Sequence, residues 1–413
     1  MRNGSALRKT RRWETARLAV LLVGIALVAQ GASGAEQPAS GGLAAPQAHV
    51  ADLDYQEVSY SFINCGVPFD VQSSAFKKEP AFGQGKIIRG LIQFGGDKSN
   101  SMAFAWHRPT RKLYLDLNRN QDLTDDPAGV FVARERGPDF YQTFTNVHLP
   151  CNTASGKRQF LADLSLYDYG SRPNCTAALR SMWQGKITLQ GEEWQAGIVE
   201  NSVGGFNASD GGYLLLRPWE KRAQPFNLLG GSLDAFTFPR KIFVKEQAYQ
   251  VSRTSERQGE NVRFKVRFEE EKPALGELKL SGAFLQRVVL EGGPYLVVLD
   301  QPRSVVKVPV GTYAPAKVWL KQGATEAYNE VRFPSSASRI AITTNKPANL
   351  ALGGPLTNSV SVSRHGKSLN LAYQLVGVGG ASYQLANQDR SKPPEFTVHH
   401  AGKKVGSGNF EFG

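Results

Sequence analysis

The feature that most constrains the fold is a series of short β-type runs separated by Gly, Pro, Asn and Asp. The clearest is VRFKVRF at residues 262–268, in which Val and Phe alternate with Arg and Lys. A period of two places the apolar side chains on one face of a strand and the charged side chains on the other. The pattern therefore predicts antiparallel strands with one buried and one solvated face.

Similar short runs, among them 58–63, 102–106 and 112–117, recur along the chain, with spacings near ten residues after residue 273, and predict two β regions. Pro109-Thr110 lies between the runs 102–106 and 112–117 and predicts a hairpin turn. After residue 268 the segment EEEKP breaks the alternation, so we place a boundary between residues 272 and 273. The predicted fold class is mainly β, with an N-terminal antiparallel β region at 53–272 and a C-terminal β-sandwich, Ig-like or related, at 273–413. Residues 177–182 and 230–235 are the two short helix candidates.

The N-terminus has the organisation of a secretory signal. Six Lys and Arg precede an apolar run at residues 18–29, and Ser-Gly-Ala at 33–35 supplies the small residues needed for cleavage. The run would make a helix of about 18 Å, shorter than the ~30 Å bilayer core, although a retained anchor stays an alternative. We predict a signal peptide at 1–35, a flexible linker at 36–52, and a secreted or periplasmic location with no later membrane span.

The net charge of +13 is unevenly distributed along the chain. The signal contributes +5 and residues 36–272 contribute +1, whereas residues 273–413 carry 15 Lys and Arg against 8 Asp and Glu, which is +7. Secretion argues against a nucleic-acid partner. The C-terminal excess predicts either attraction to an anionic polymer or membrane surface, or simply dispersed solubilising charge.

Three cysteines, Cys65, Cys151 and Cys175, follow the predicted signal. In an oxidising compartment Cys151 and Cys175 are candidates for a disulfide, which would add roughly 3–4 kcal/mol of stability in the chain-entropy model. Cys65 could instead pair with either of them. A catalytic thiol is a further alternative, but no His-containing signature accompanies any of the three.

Residues 116–126, with the sequence DLNRNQDLTDD, carry the one chemical signature in the chain. Oxygen-bearing side chains recur at the first, third, fifth and seventh positions, which are Asp116, Asn118, Asn120 and Asp122. Alternate oxygens in a tight loop can surround one hard cation, and calcium takes about six to eight oxygen ligands. The apolar Leu123 would pin such a loop to a core.

This segment resembles the calcium loop of EF-hand and dockerin-type modules. The resemblance implies Ca²⁺ as a structural cofactor, bound by the side-chain oxygens of Asp116, Asn118 and Asn120 and by the backbone carbonyl of Asp122. The flanks differ from those of a true EF-hand, because the runs on both sides read as strands where an EF-hand has helices. The resemblance covers about a dozen residues, so it implies a local site and no overall fold.

Two departures from that pattern affect the expected ligands. Gln121 stands at the sixth position, which is usually Gly, and Pro127 stands at the twelfth, which is usually an acidic bidentate ligand. Asp126, or its neighbour Asp125, would then supply the carboxylate from a shifted position. A solvated turn without metal is the alternative, since Asn and Asp are ordinary turn formers. A second oxygen-rich segment at 200–210 favours an ordinary Gly/Asn loop.

Known catalytic signatures do not occur in the sequence, so no catalytic residue is predicted. There is no zinc-protease motif, no G-x-S-x-G elbow and no phosphate loop. The leading hypothesis is a secreted, non-enzymatic β protein with a structural calcium loop, which interacts with a polysaccharide or protein at the cell envelope or outside the cell. One alternative is a carbohydrate-binding protein that stacks sugars on Trp and Tyr; another is an extracellular hydrolase, whose paired carboxylates a sequence cannot place.

Overall fold

The predicted mainly β class is confirmed, with about 66% of the described residues in strands and 3% in helix. The computed structural model describes residues 47–71, 76–94, 100–133, 137–153, 156–170, 172–200, 212–226, 228, 232–330, 339–366, 368–386 and 391–411. The predicted signal at 1–35 and most of the predicted linker lie outside these residues, so both stay predictions.

The described residues contain thirty strands. Strands β1 to β15 are Ala48–Glu57, Ile63–Val67, Phe69–Val71, Ile87–Gln93, Ser101–His107, Lys112–Leu115, Val130–Val132, Tyr141–Thr153, Gly156–Asp168, Pro173–Leu179, Ser181–Leu189, Glu192–Val199, Tyr213–Pro218, Ala235–Thr237 and Lys241–Val244. Strands β16 to β30 are Gln247–Gln258, Asn261–Glu271, Leu275–Ser281, Leu285–Glu291, Leu296–Asp300, Val305–Pro309, Gly311–Gln322, Thr325–Glu330, Ile340–Ile342, Ala348–Ala351, Thr357–His365, Ser368–Val376, Ser382–Leu385, Glu395–His400 and Lys403–Asn409. Short 3-10 turns lie at Pro127–Gly129, Trp219–Lys221 and Val378–Gly380. Within the described ranges, no helix is both long and apolar enough to cross a membrane.

The alternating segment at 262–268 lies in β17, and the burial of its side chains follows the alternation. Phe264, Val266 and Phe268 are buried, whereas the basic residues between them are more exposed. β17 pairs antiparallel with β16 on one edge and with β1 on the other. β1 continues beyond β17 and pairs with β11, so the first described strand joins two parts of the largest sheet.

Two groups of buried apolar side chains form the interior. The first core includes Trp106, Trp194 and Phe268 and comes almost entirely from strands before residue 272. The second core includes Val297 and Tyr313 and comes mainly from strands after it. The domain boundary at 272/273 stays a prediction, and strand pairing crosses it, because β15 pairs in parallel with β20. The sheets are therefore mixed and not purely antiparallel.

Three local predictions are corrected by the structure. Residues 177–182 are not a helix: residues 177–179 end β10 and residues 181–182 begin β11, because Ala177 and Leu179 alternate into the first core and burial outweighs their helix propensity. Residues 58–62, predicted as part of a strand, form a loop before β2. β1 begins at Ala48, inside the segment predicted as the 36–52 linker. Part of the second helix candidate, at 230–231, lies outside the described residues.

The candidate disulfide between Cys151 and Cys175 is excluded by strand register. Cys151 of β8 lies opposite Arg158 of β9, and Cys175 of β10 lies opposite Leu166 of the same strand. Eight residues of extended chain separate those two positions by about 26 Å, whereas a disulfide needs Cα atoms within roughly 7 Å. Burial raises the pKa of the Cys151 thiol to about 12, which does not favour a nucleophilic thiolate.

Candidate metal centre

The loop at 116–126 lies at the end of a small sheet formed by β3 to β7. β5 and β6 form a hairpin through a turn at residues 108–111, as the Pro109-Thr110 pair predicts. Leu113 and Leu115 of β6 are buried in the first core, and the chain leaves the sheet at the next residue. Leu123 is 3% exposed and anchors the far side of the loop.

Asp116, the first residue of the loop, accepts hydrogen bonds from the loop backbone and is 1% exposed. The backbone N–H of Asn120 donates to its Oδ1 at 3.1 Å, and the backbone N–H of Gln121 donates to its Oδ2 at 3.0 Å. The N–H of Asp116 itself donates to the carbonyl of Ala103 in β5 at 2.9 Å. The carboxylate is therefore fixed to the sheet while it holds the middle of the loop.

The sharp turn that Gly usually makes at the sixth loop position is made here by Gln121. Its φ is 68°, and that of Arg119 is 64°, both in the left-handed region that is unfavourable for residues with a Cβ. The two hydrogen bonds to Asp116 hold the backbone in this conformation. The departure at the sixth position therefore does not prevent the turn.

Asn118 and Asn120 both contact Asp125. The Nδ2 group of Asn118 donates to Oδ1 of Asp125 at 3.2 Å, and that of Asn120 donates to Oδ2 at 2.6 Å. The Oδ1 atoms of the two asparagines accept hydrogen bonds from the backbone N–H groups of Asn120 and Asp122 at 2.9 and 2.7 Å. Each of these oxygens retains a second lone pair. The carboxylate of Asp125, the alternative ligand to Asp126, thus accepts a hydrogen bond from each of the two side-chain amides.

The side chain of Asp122 makes a separate set of hydrogen bonds. Its Oδ1 accepts from the backbone N–H and the hydroxyl of Thr124 at 2.8 and 2.5 Å, and its Oδ2 accepts from Nζ of Lys78 at 3.3 Å. The bond from the Thr124 hydroxyl is the largest cause that holds the pKa of Asp122 below its ordinary value. Since the side chain is engaged there, the resemblance's assignment of the backbone carbonyl to a cation fits this position.

The carboxylate of Asp126 is only partly satisfied by hydrogen bonds. Its Oδ2 is buried and has no hydrogen-bond partner among the described residues. Burial is the largest cause that raises the pKa of Asp126, and the charges of Asp116 and Asp125 act in the same direction, against a backbone N–H of Asn118. Three neighbouring carboxyl groups with one buried, unpaired oxygen form a local excess of negative charge.

Gly129 allows the turn Pro127–Gly129 to lie against the end of β6. A Cβ at this position would be 2.1 Å from the carbonyl oxygen of Leu115, so no larger residue fits without movement. The N–H of Gly129 donates to the carbonyl of Asp126 at 2.9 Å. This close approach brings Asp126 next to the start of the loop although Pro127 occupies the twelfth position.

The structure thus brings Asp116, Asn118 and Asn120 close to both acidic candidates, Asp125 and Asp126. No cluster of three or more His, Cys, Asp or Glu side chains that could hold a metal is found in the described ranges, so a cation here would also need amide and carbonyl oxygens, which calcium accepts. No sequence pattern predicts the role of Lys78. It reaches Asp122 from 44 residues away in the chain, a proximity that only the fold creates.

The tryptophans considered for sugar stacking fall into two groups. Trp106, Trp183 and Trp194 belong to the first core and are inaccessible to a ligand. Trp219 and Trp319 are half-buried. The second oxygen-rich segment, at 200–210, lies outside the described residues apart from Glu200.

Comparisons of the chain with protein-family models, with curated proteins and with solved structures found no match.

Proposed function

We propose that residues 116–126 bind one calcium ion, which stabilises the small sheet of a secreted, non-enzymatic β protein with an interaction role at the cell envelope or outside the cell. The observation that carries the proposal is the buried Oδ2 of Asp126, which lacks a partner among the described residues. A divalent cation would provide that partner and would offset the charge of the neighbouring carboxylates.

The donor set has the chemistry that calcium prefers. Asp116, Asn118, Asn120 and Asp126 offer side-chain oxygens, and Asp122 offers its carbonyl. All are hard oxygen ligands. The loop lies between strands, so it has no pair of helices to open on binding. A structural role follows from this placement, because the loop joins β6 to the turn that precedes β7.

The substitution Asp126→Asn separates a metal site from a metal-free turn. A raised carboxyl pKa means that the folded state disfavours the ionised form, and this penalty is present above the folded pKa and disappears as the pH falls toward the unfolded value. In a chelator at pH 7.5 the variant should therefore melt at a higher temperature than the wild type. In the presence of calcium the wild type should melt at a higher temperature than the variant, because the variant has lost a charged ligand.

Calorimetric titration and thermal melting with and without calcium provide the measurement. At a calcium concentration 100 times its dissociation constant, the wild type should gain about 2.7 kcal/mol, whereas Asp126→Asn should gain much less. Asp54→Asn is the matched control, since Asp54 is exposed on β1 and remote in sequence from the loop; it should keep the full calcium response. No heat at millimolar calcium together with no change in melting temperature on chelation would refute the proposal.

A further inference from the structure

A large groove lies in the C-terminal region, far along the chain from the metal loop. Its volume is about 1020 Å³, and it follows residues 369–375 of β27. β27 pairs with β28 through only two residue pairs, Leu375 with Tyr383 and Val376 with Ser382. Beyond that point β27 and β28 are not paired with each other, although β27 pairs with β26 and β28 with β23, and residues of both β27 and β28 line the groove. Seven residues of extended strand make a site about 20 Å long.

Aromatic side chains line one part of the groove. The ring of Phe410 lies 5.3 Å from that of Tyr373 and 4.9 Å from that of Phe396, measured between centroids. All three are half-buried and so retain accessible ring surface. The hydroxyl of Tyr373 donates to Oδ1 of Asn358 at 2.8 Å, which fixes its ring. A fixed, partly exposed aromatic surface is suited to the flat apolar face of a sugar ring.

Amide side chains line the rest of the groove. The Oε1 of Gln384 accepts a hydrogen bond from the hydroxyl of Tyr328 at 3.1 Å, and that of Gln374 accepts from the hydroxyl of Ser382 at 3.4 Å. Both glutamines are exposed, and these bonds orient their amide groups while the NH₂ ends can still donate to a ligand. Asn370 and Asn409 add two further amides. Amides both donate and accept, as the hydroxyl groups of a sugar do.

The charge of the residues that line the groove restricts which class of ligand it can bind. Among the described residues that line it, Glu411 alone carries a charge, although residues 273–413 as a whole have an excess of Lys and Arg. An anionic polymer would find no cation among these lining residues. A lipid would leave the amides unpaired, which is unfavourable. We propose that this groove binds a neutral, extended oligosaccharide, stacked on Tyr373, Phe396 and Phe410 and hydrogen-bonded by Gln374 and Gln384.

Native gel electrophoresis of the full chain in gels that contain hydroxyethylcellulose, galactomannan or laminarin tests the proposal. At least one of these neutral polysaccharides should retard the wild type, and titration with the corresponding hexasaccharide should give a dissociation constant. The double variant Gln374→Ala/Gln384→Ala should bind that hexasaccharide at least tenfold more weakly. Both side chains are exposed, so the melting temperature should not change, and the loss can be assigned to the groove.

Two further variants, one control and one second test, show whether the loss of binding comes from the groove. Gln258→Ala makes the same chemical change at an exposed strand end outside the groove, and it should bind like the wild type. Phe410→Ala should also weaken binding, by removing the stacking surface. Retardation by none of the three polysaccharides, retardation only by anionic alginate, or equal binding by the double variant would each overturn the proposal. Because this site shares no residue with the metal loop, the result is independent of any calcium response.

Discussion

The metal loop and the hairpin β26–β27 are ordered by different interactions. In the loop, the buried Asp116 carboxylate accepts two backbone N–H groups, and Leu123 packs inward. In the hairpin, every residue of β26 is exposed, and within the described residues its ladder is formed with β27 alone. We therefore expect the short irregular loop to resist local unfolding better than the long regular hairpin, because burial and not regularity supplies most of the stability.

The largest predicted effect concerns the connection between the two cores that support these regions. Arg287 is 7% exposed, and its guanidinium donates to Asp234 at 2.7 Å, to the carbonyl of Leu233 at 2.7 Å, and to Asp300. Arg287→Ala leaves two acidic groups without their cation and should lower the free energy of unfolding by about 3–5 kcal/mol. Urea denaturation measures the loss.

Arg303→Ala is the matched control for that experiment. Arg303 pairs with Glu246, and both side chains are 77% exposed, so the change should cost less than about 0.5 kcal/mol. Equal losses for the two variants would contradict the expected cost of leaving Asp234 and Asp300 without their cation.

The next prediction compares one leucine in each region. Leu123→Ala removes a buried side chain from the base of the loop and should cost about 2–4 kcal/mol. Leu369→Ala makes the same change on β27, where the residue is 56% exposed, and should cost within about 0.5 kcal/mol. Urea denaturation of both variants gives the comparison, and a larger loss at Leu369 would contradict the assignment of the loop as the firmer region.

A third prediction tests how the small sheet is attached to the large one. Asp168 at the end of β9 accepts hydrogen bonds from Lys86 at 2.5 Å and from Arg108 at 2.9 Å. The bond from Lys86 is the largest cause that holds the pKa of Asp168 below its ordinary value. Asp168→Asn weakens both interactions and should cost about 2 kcal/mol at pH 7.

The pH dependence of that loss follows from the direction of the shift. Because the folded pKa is depressed, the contribution of Asp168 is fully present above the unfolded pKa and is lost as the pH falls through the folded pKa. The stability difference between wild type and variant, measured by urea denaturation, should be constant from pH 6 to 8 and should shrink below about pH 4. A difference that stays constant down to pH 2 would rule out this charge interaction.

The smallest predicted effect lies in the loop backbone. Gln121→Gly removes the Cβ from a residue with φ 68° and should stabilise the fold by about 0.5 kcal/mol, since part of the gain is offset by the greater freedom of Gly in the unfolded chain. Thermal melting detects the change. The same substitution should not weaken calcium binding, and a loss of the calcium response would mean that the Gln121 side chain takes part in the site.

Sequence reasoning found the strands and the position of the loop because both are local signals. The alternation in β17 and the Asx spacing from Asp116 onward each occupy about ten consecutive residues. It failed at residues 177–182, where Ala and Leu favour a helix in isolation and only the neighbouring strands impose an extended chain.

The positions of the side chains around the loop could be predicted only in part, because some of their contacts are local in sequence and others join separate strands. Asp116, Asn118 and Asn120 lie within five residues, so their convergence follows from the turn itself. The engagement of Asp122 with Lys78 and the approach of Gly129 to Leu115 depend on how separate strands pack. The groove along β27 gave no sequence signal, because its lining comes from segments that no short pattern joins.

The position of β1 has a consequence for the order of folding. His49 lies beside Glu270, 221 residues later in the chain, and β1 pairs along its length with β17 and β11. Contacts of such large separation form slowly, because a long loop must close first. During synthesis β1 therefore emerges long before β17. The edge of β1 that pairs with β17 has no partner strand until about two thirds of the chain has been synthesised. Completion of the largest sheet, and not its first hairpin, should set the folding rate.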